Sequence, residues 1–389
     1  MLRFPFSNLK TRACILKPPE SGGASGPFIV ASVLLKEGHV MISLRPLAVG
    51  LVSLSLIGIA TITRAQQNAP AKVIELKIAD SLATSHALSK SGGVFWMKRV
   101  EELSGGAVKF RHFPAQQMGK ASDMLKLVNG GVVDVAYVAT PYFASQMPLG
   151  AGIGGLPGLY TTSLIGSRAY WMIANQEPML GIDFLKNGVR PVAAIMIPTY
   201  ELLSRKQLLR TPSDVKGLKV RSAGGAQDLA LQAVGAVPVS TPAPEVYEAL
   251  ERGVIDAIPF SFSSGAGYRL EEVVKYATHG LGFPAGAITW VINEKVWQAL
   301  PEDIKDVMRK ASDETVINVG KTLDAAEQSI RLGWAEKGIR ITSLSRQELD
   351  QWHSLLGGVA SQWVLAAEAK QLPAKQTLDM FKEAVQASQ

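Results

Sequence analysis

Residues 211–226 read Thr-Pro-Ser-Asp-Val-Lys-Gly-Leu-Lys-Val-Arg-Ser-Ala-Gly-Gly-Ala. The first four residues are typical of a turn, because Pro fixes φ and because Ser and Asp side chains bond to nearby backbone. Leu218–Arg221 predicts a short strand, and the apolar residues from Ala226 to Val234 predict a helix. A turn, a strand and a helix in such close succession indicate an α/β fold.

The same alternation of strands and helices continues on both sides of this stretch. The other predicted strands are Val73–Ala79, Val108–Phe113, Val132–Ala139, Val192–Ile197, Ile255–Ile258 and Ile288–Ile292. The other predicted helices are Leu88–Leu103, Ala121–Asn129, Pro244–Glu251, Pro301 to about Glu336, Leu349–Ala369 and Thr377–Ala387. This alternation predicts largely parallel sheets, and a chain of 389 residues suits two domains.

The distribution of charge argues against a nucleic-acid partner. Residues 1–65 hold seven Lys or Arg and two Asp or Glu, whereas the rest of the chain holds 33 and 31. The basic excess therefore lies in the N-terminal segment, and the body has no broad cationic face to pair with phosphates. The single cysteine, Cys14, also lies in that segment, so the body contains no disulfide and no thiolate metal site.

The N-terminal segment contains the pattern of a secretory signal. Arg45 precedes an apolar run of about 16 residues, Leu47–Ile62, and Ala65 supplies the small residue before a plausible cleavage point. We interpret residues 41–65 as a signal peptide; an uncleaved membrane anchor is the alternative. Residues 1–40 do not suit the region before a signal, so we interpret them as a non-native or disordered extension. No later stretch approaches the length of a membrane span.

Arg221 is the residue that most strongly suggests a binding site. It ends a predicted strand and is followed by Ser222 and then by Gly224-Gly225. Ligands of open α/β sheets bind at the carboxyl ends of strands, and the two glycines allow backbone to approach a ligand closely. An arginine at this position can hold a carboxylate through two parallel hydrogen bonds. The alternative is an arginine in an ordinary surface salt bridge.

No catalytic or metal-binding signature accompanies this arginine. The chain has no G-x-S-x-G elbow, its histidines lack metal-ligand spacing, and no carboxylate pair stands out for acid–base chemistry. A secreted α/β enzyme acting on an organic acid stays open, because catalytic triads assemble from distant positions.

Six stretches together resemble the solute receptors of tripartite ATP-independent periplasmic (TRAP) transporters, the dicarboxylate-receptor (DctP-like) family. They lie in the family's order and at similar spacing over roughly residues 73–345. The matching stretches are Phe113–Gly119, Leu125–Ala136, Thr211–Arg221, Gly235–Val239, Glu245–Asp256 and Asn293–Pro301.

The resemblance implies an α/β, two-lobe periplasmic binding protein fold of type II-like form, with hinge strands and a long helix spanning both lobes. On this basis we predict a first lobe from residues 72–195 and about 285–325, and a second from 196–284 and about 326–389. The resemblance also implies that Arg221 binds a ligand carboxylate in the cleft between them.

Two positions depart from the family pattern. Many members carry a second arginine about twenty residues before the first, where this chain has Tyr200, so we predict a monocarboxylate or an aromatic or hydroxy acid. One branch has an acidic residue followed by Trp where this chain has Pro259 and Phe260. Proline cannot ligate a cation, so we predict no metal and no other cofactor, with Phe260 as an aromatic wall.

Further wall candidates follow other strand ends: Ser85, His86, Gln117 and Tyr142. The resulting hypothesis is a monomeric periplasmic receptor that closes over a small organic acid and delivers it to TRAP permease subunits in the membrane. The receptor of an ATP-driven importer is the alternative within transport.

Overall fold

The computed structural model describes residues 73–389 and, before them, only the backbone of residues 35–36 and 39–40. The chain divides into two units, Met1–Ala69 and Pro70–Gln389. In the first unit the described residues form two short antiparallel strands, β1 (Leu35–Lys36) and β2 (His39–Val40). The rest of the predicted extension, and the predicted signal peptide over 41–65, lie outside the described residues.

The second unit contains the remaining strands and all the described helices. Its strands are β3 (Ile74–Ala79), β4 (Val108–Phe113), β5 (Val135–Ala139), β6 (Val189–Met196), β7 (Glu201–Ser204), β8 (Lys219–Ser222), β9 (Val237–Ser240), β10 (Ala257–Phe260), β11 (Tyr276–His279), β12 (Ala287–Asn293) and β13 (Arg340–Ser343). Its α-helices are α1 (Ala87–Ser89), α2 (Phe95–Leu103), α3 (Met124–Asn129), α4 (Pro148–Gly154), α5 (Ser163–Ala174), α6 (Pro212–Val215), α7 (Ala226–Ala233), α8 (Val246–Glu251), α9 (Phe262–Gly267), α10 (Glu294–Ala299), α11 (Glu302–Glu336), α12 (Arg346–Leu356), α13 (Val359–Glu368) and α14 (Ala374–Ala387).

The strands form two mixed sheets. The first has the order β4-β3-β5-β12-β6, and the second the order β13-β11-β7-β10-β8-β9. β5 and β12 are buried along their whole length, which suits their mainly apolar sequences. The predicted α/β fold with two lobes is confirmed.

The prediction of largely parallel sheets was wrong in detail. In the first sheet β12 pairs antiparallel with both β5 and β6, and in the second β7 pairs antiparallel with both β10 and β11. These antiparallel pairs arise because the chain runs directly from β6 in one sheet to β7 in the other, and returns from β11 to β12.

The two crossing segments are themselves paired between the sheets. The backbone N–H of Tyr200 donates to Phe283 O at 2.8 Å, and the N–H of Phe283 donates to Tyr200 O at 2.7 Å. These segments are the hinge strands that the resemblance implied. They give the two lobes a narrow two-stranded connection.

Helix α11 is the third connection. Its 35 residues extend about 52 Å at the usual rise per residue. It packs against α2, α5 and β6 near the first sheet and against α9 and β13 near the second. This is the predicted lobe-spanning helix.

The C-terminal region differs from the single predicted helix over Leu349–Ala369. The structure has two helices there, α12 and α13, because Gly357 and Gly358 interrupt the helical pattern. α13 packs against α7, whereas α14 packs against α5. The lobe boundaries given above stay a prediction.

Candidate ligand-binding site

A cavity lies where strand ends of the two sheets face each other. Its walls come from β5, from the crossing segment after β6, from the crossing segment before β12, and from the ends of β8 and β10. The lining residues are His86, Leu88, Tyr137, Ala139, Pro141, Tyr142, Ile197, Tyr200, Arg221, Ala223, Ala243, Phe260, Ser264, Tyr268, Gly286, Ala287 and Ile288. Most of this wall is aromatic or aliphatic, with a few convergent polar groups.

Arg221 is the cationic group of this cavity and is 2% exposed. Its Nε donates to Thr241 O at 3.0 Å, and its Nη2 donates to the Tyr142 hydroxyl at 3.4 Å. Its Nη1 has no partner within the described chain, and no described carboxylate forms a salt bridge with it. The guanidinium is therefore buried and held by neutral oxygens alone.

Aromatic rings form a continuous wall beside this guanidinium. The Arg221 Cζ lies 5.4 Å from the centroid of the Phe260 ring, which is within the range of a cation–π contact. The Tyr200 ring stacks on the Phe260 ring, with centroids 5.5 Å apart and planes 5° from parallel. Tyr268 meets Phe260 edge-on at 5.8 Å, and His86 meets Tyr268 at 5.0 Å.

The ionisable side chains of this wall are neutral at physiological pH. Burial raises the pKa of Tyr137 and Tyr268 well above that of a free phenol, and it raises the pKa of Tyr200, which the charge of Arg221 partly opposes. Burial also lowers the pKa of His86 to about 4. Arg221 is therefore the charge of the cavity, and the cavity is suited to an anion.

Close backbone contacts surround the strand end that carries Arg221. Gly224 has φ +100°, and a Cβ there would lie 2.6 Å from the Pro141 carbonyl oxygen of the other lobe. Gln227, at the start of α7, donates to Pro284 O at 2.8 Å, on the crossing segment before β12. The glycine at this turn thus lets the two lobes meet beside the cavity.

Comparison with known proteins identifies the fold and its family. The family model described as bacterial extracellular solute-binding protein, family 7, matches residues 78–363. The chain belongs to this family. The predicted likeness to TRAP solute receptors of the DctP-like type is confirmed.

Individual relatives agree with this assignment. A curated solute-binding protein from Albidiferax ferrireducens is 26% identical over 266 residues, covering 66% of this chain and 75% of its own. A crystal structure of a TRAP solute binding protein from Rhodoferax ferrireducens T118, with copurified benzoate, has a TM-score of 0.75 at 21% identity and covers 81% of this chain and 98% of its own. One from Bordetella bronchiseptica, with bound (R)- and (S)-mandelate, has a TM-score of 0.74 at 23% identity and covers 81% and 100%.

The structure gathers five of the sequence-predicted residues of this family 7 receptor around the cavity. They are His86, Tyr142, Tyr200, Arg221 and Phe260. Ser85 and Gln117 are exposed and do not line it. The Ser222 side chain is buried, and its hydroxyl accepts a hydrogen bond from the Gly224 N–H at 2.9 Å instead of facing the cavity. A role in ligand binding stays a prediction for all eight.

Three polar or aromatic cavity residues had no clear signal in the sequence. Tyr137 lies inside β5, where an aromatic residue is ordinary core, and Ser264 and Tyr268 lie on or just after α9. The α9 segment reads Phe-Ser-Ser-Gly-Ala-Gly, which favours a loop by composition. The helix is supported by a local cap, in which the Ser261 hydroxyl accepts from the Ser264 N–H, and by contacts of α9 with distant parts of the chain.

Arg205 lies away from the cavity and donates to the carbonyl oxygens of Leu250 and Glu251 at the end of α8. Within residues 73–389, no group of three or more His, Cys, Asp or Glu side chains could hold a metal ion. No helix in that range combines the length and apolarity needed to span a bilayer.

Proposed function

We propose that this receptor binds a small organic carboxylate in the cavity between its lobes, with Arg221 as the anchor, and presents it to TRAP permease subunits. The buried guanidinium without a carboxylate partner carries this proposal. Taking a charge out of water costs several kcal/mol unless an opposite charge or several hydrogen bonds offset the cost. A ligand carboxylate that accepts from the free Nη1 would supply that opposite charge.

The walls favour a monocarboxylate with an apolar or aromatic body. Tyr200 presents a neutral phenol beside Arg221, so a second carboxylate would find no second cation there. Phe260, Tyr268 and Ile288 provide flat and aliphatic surface instead. Benzoate and mandelate, bound by the two similar receptors named above, are acids of this kind.

Lobe closure is the proposed mechanism of capture. Closing the lobes removes water from the cavity and strengthens the attraction between Arg221 and the carboxylate. Tyr142, which follows β5 of the first sheet, contributes to the closed form. Its hydroxyl accepts from the N–H of Ala243, which follows β9 of the second sheet, at 2.8 Å. The ligand shifts the equilibrium toward the closed form, which is the form that docks on the permease.

We also propose that the protein is exported through its signal peptide, acts as a monomer and releases the acid unchanged. A chemical reaction would require a group poised to attack or to transfer protons. The ionisable groups of the cavity include the guanidinium of Arg221, the imidazole of His86, whose Nδ1 already accepts from the Leu88 N–H, and the buried phenols of Tyr137 and Tyr268. Incubation with a bound acid, followed by mass spectrometry, is expected to return the acid intact and would detect turnover if the protein were an enzyme.

Calorimetric titration of benzoate, mandelate and succinate into Arg221→Gln tests the anchor. This variant lacks the buried cation that pairs with the ligand carboxylate, so it is expected to bind monocarboxylates roughly 30-fold more weakly or worse. The matched control is Arg252→Gln, because Arg252 is an exposed arginine of the same region that pairs with Glu248. Equal affinities for the two variants would contradict the role of Arg221. If succinate bound most tightly, the proposed preference for monocarboxylates would be contradicted.

A further inference from the structure

Gln227 is a buried amide side chain near the start of α7 that does not itself line the cavity. It is 0% exposed. Its Oε1 accepts from the Ala223 N–H at 2.8 Å, and its Nε2 donates to Pro284 O at 2.8 Å and to Ala285 O at 3.2 Å. One side chain thus joins two backbone segments that are about sixty residues apart in the sequence.

The first of these segments is the loop that follows the proposed ligand anchor. Ala223 lines the cavity and stands two residues after Arg221, beyond the end of β8. Gly224 comes next, with a φ of +100° and no side chain that could hold the loop. The bond from the Ala223 N–H to Gln227 therefore helps to fix the loop beside the guanidinium.

The second segment belongs to the hinge. Pro284 and Ala285 lie on the crossing segment between β11 of the second sheet and β12 of the first. They directly follow Phe283, whose backbone pairs with Tyr200 on the other crossing segment. Hinge residues absorb the change in φ and ψ when two lobes rotate. The carbonyl groups that Gln227 holds therefore lie where lobe rotation is expected to change the backbone.

The lobes touch at the same place in the structure. A Cβ on Gly225, which precedes α7 of the second lobe, would lie 2.4 Å from Ala151 O on α4 of the first. The bonds of Gln227 are therefore made in an arrangement in which the lobes are in contact. An amide suits this position, because it supplies a donor and an acceptor without burying a charge.

We propose that Gln227 is a positioning residue that couples the loop after Arg221 to the hinge. A carboxylate bound at Arg221 fixes the loop, and the amide then holds Pro284 and Ala285 in the backbone conformation of the closed form. Without the amide, the second lobe would still bind the acid, but binding would no longer favour closure. This inference rests on the proposed function, since it requires a ligand at Arg221.

The test measures affinity by calorimetric titration and closure by small-angle X-ray scattering of the full-length protein. The probe is benzoate or mandelate, whichever the unaltered protein binds more tightly. At saturation the radius of gyration of the unaltered protein is expected to fall. Gln227→Met has a side chain of similar length that makes none of the three bonds. It is expected to bind about 10-fold more weakly and to keep its radius of gyration when saturated.

Gln227→Asn is a second variant that keeps an amide but is one CH₂ shorter. It cannot reach the loop and the crossing segment together, so it too should bind the probe without becoming compact. This variant introduces no apolar group among buried carbonyls, and it therefore provides the test if Gln227→Met does not fold.

Asn293→Leu is the matched control, because Asn293 is also a buried amide that joins separate backbone segments. Its Nδ2 donates to Val128 O at 2.8 Å and its Oδ1 accepts from the Lys295 N–H at 2.9 Å, at the end of β12 away from the crossing segment. Asn293→Leu is expected to lower the midpoint of thermal unfolding, as Gln227→Met does, and yet to become fully compact with the probe.

The remaining outcomes separate this inference from the proposed function. If a folded Gln227 variant becomes as compact as the unaltered protein, the coupling role is wrong, whereas the anchor at Arg221 stands. The same conclusion follows if Asn293→Leu also fails to become compact, because a general loss of stability would then explain the effect. If Arg221→Gln binds the probe as tightly as the unaltered protein, the proposed function itself fails.

Discussion

Asp80 is a buried carboxyl group that follows β3 directly and is 1% exposed. Its oxygens accept from the Leu82 N–H at 2.8 Å and from the Ser89 hydroxyl at 3.5 Å. Burial outweighs these bonds and raises the pKa of Asp80 from 3.8 to about 7. The folded protein therefore binds a proton at Asp80 in a pH range where the unfolded chain has already released it.

Asp80 is therefore expected to lower the stability of the protein as pH rises from about 4 to about 7, whereas His86, whose pKa burial lowers to about 4, contributes in the opposite direction over the same range. Below pH 4 both states are protonated, and above 7 the folded state must hold a buried charge, at a cost of up to roughly 4 kcal/mol. Asp80→Asn removes the contribution of Asp80 alone, so urea unfolding across the range should show the variant gaining stability relative to the unaltered protein as pH rises. Burial also raises the pKa of Asp183 to about 7, so Asp183→Asn should change the pH dependence in the same direction. A difference in unfolding free energy between Asp80→Asn and the unaltered protein that does not change with pH over this range would contradict the interpretation.

At the scale of elements, one turn of α11 fixes the start of a helix in each lobe. Asp324 accepts from the N–H groups of Ser163 and Leu164, at 2.7 and 2.9 Å, where α5 begins. Glu327, three residues later, accepts from the N–H groups of Phe262 and Ser263, at 3.1 and 2.8 Å, where α9 begins. Carboxylates are favourable at helix N-termini, since they accept from free N–H groups.

Glu327→Gln and Asp324→Asn form a matched pair of substitutions that should separate stability from binding. Each replaces one carboxylate oxygen by an amide nitrogen facing a backbone N–H, so each is expected to cost about 1–3 kcal/mol in unfolding free energy. Only Glu327→Gln should also weaken acid binding, because α9 carries Ser264, whereas α5 does not line the cavity. Thermal unfolding and calorimetric titration of both proteins check this. Equal effects of the two changes on affinity would show that α9 is not positioned by Glu327.

The contacts of α11 also explain how far the sequence could predict this molecule. β4 has the predicted bounds, because the periodicity of a strand is a local feature of the sequence. Arg221 could be selected as a binding residue for the same reason, since a charge at a strand end is also visible locally. α9 escaped prediction because its helical conformation is supported by Glu327, which is distant in the sequence. The short strands β7, β9, β11 and β13 escaped for a similar reason, since four residues carry too little periodicity to predict a strand without their neighbours.

At the scale of the whole molecule, the lobes meet through positions where a side chain would not fit. Gly155, which follows α4, faces the start of α7, and a Cβ there would lie 2.5 Å from the Gln227 backbone nitrogen. Gly155 has φ −98°, so the backbone itself accepts other residues. Glycine is therefore required at position 155 because it has no side chain, which allows α4 and α7 to lie close together.

Gly155→Val is expected to hold the lobes apart. The valine side chain would meet α7 before closure is complete, so the ligand would bind more weakly and would no longer compact the protein. Small-angle X-ray scattering should show a radius of gyration that falls on adding a bound acid to the unaltered protein and stays constant for Gly155→Val. Gly333→Ala is the control, because a Cβ there meets nothing within 4 Å. Normal compaction of the Gly155→Val protein would contradict the steric argument.

The position of β12 has a consequence for biogenesis. It pairs with β5 on one side and with β6 on the other, although it is synthesised well after both. Until residue 293 has left the ribosome or the export channel, β5 and β6 each expose an unpaired edge, and such edges invite aggregation. A chaperone that shields nascent or translocating chains would therefore be needed most while residues 140–293 emerge, and arrest of synthesis within that window would leave a half-built sheet.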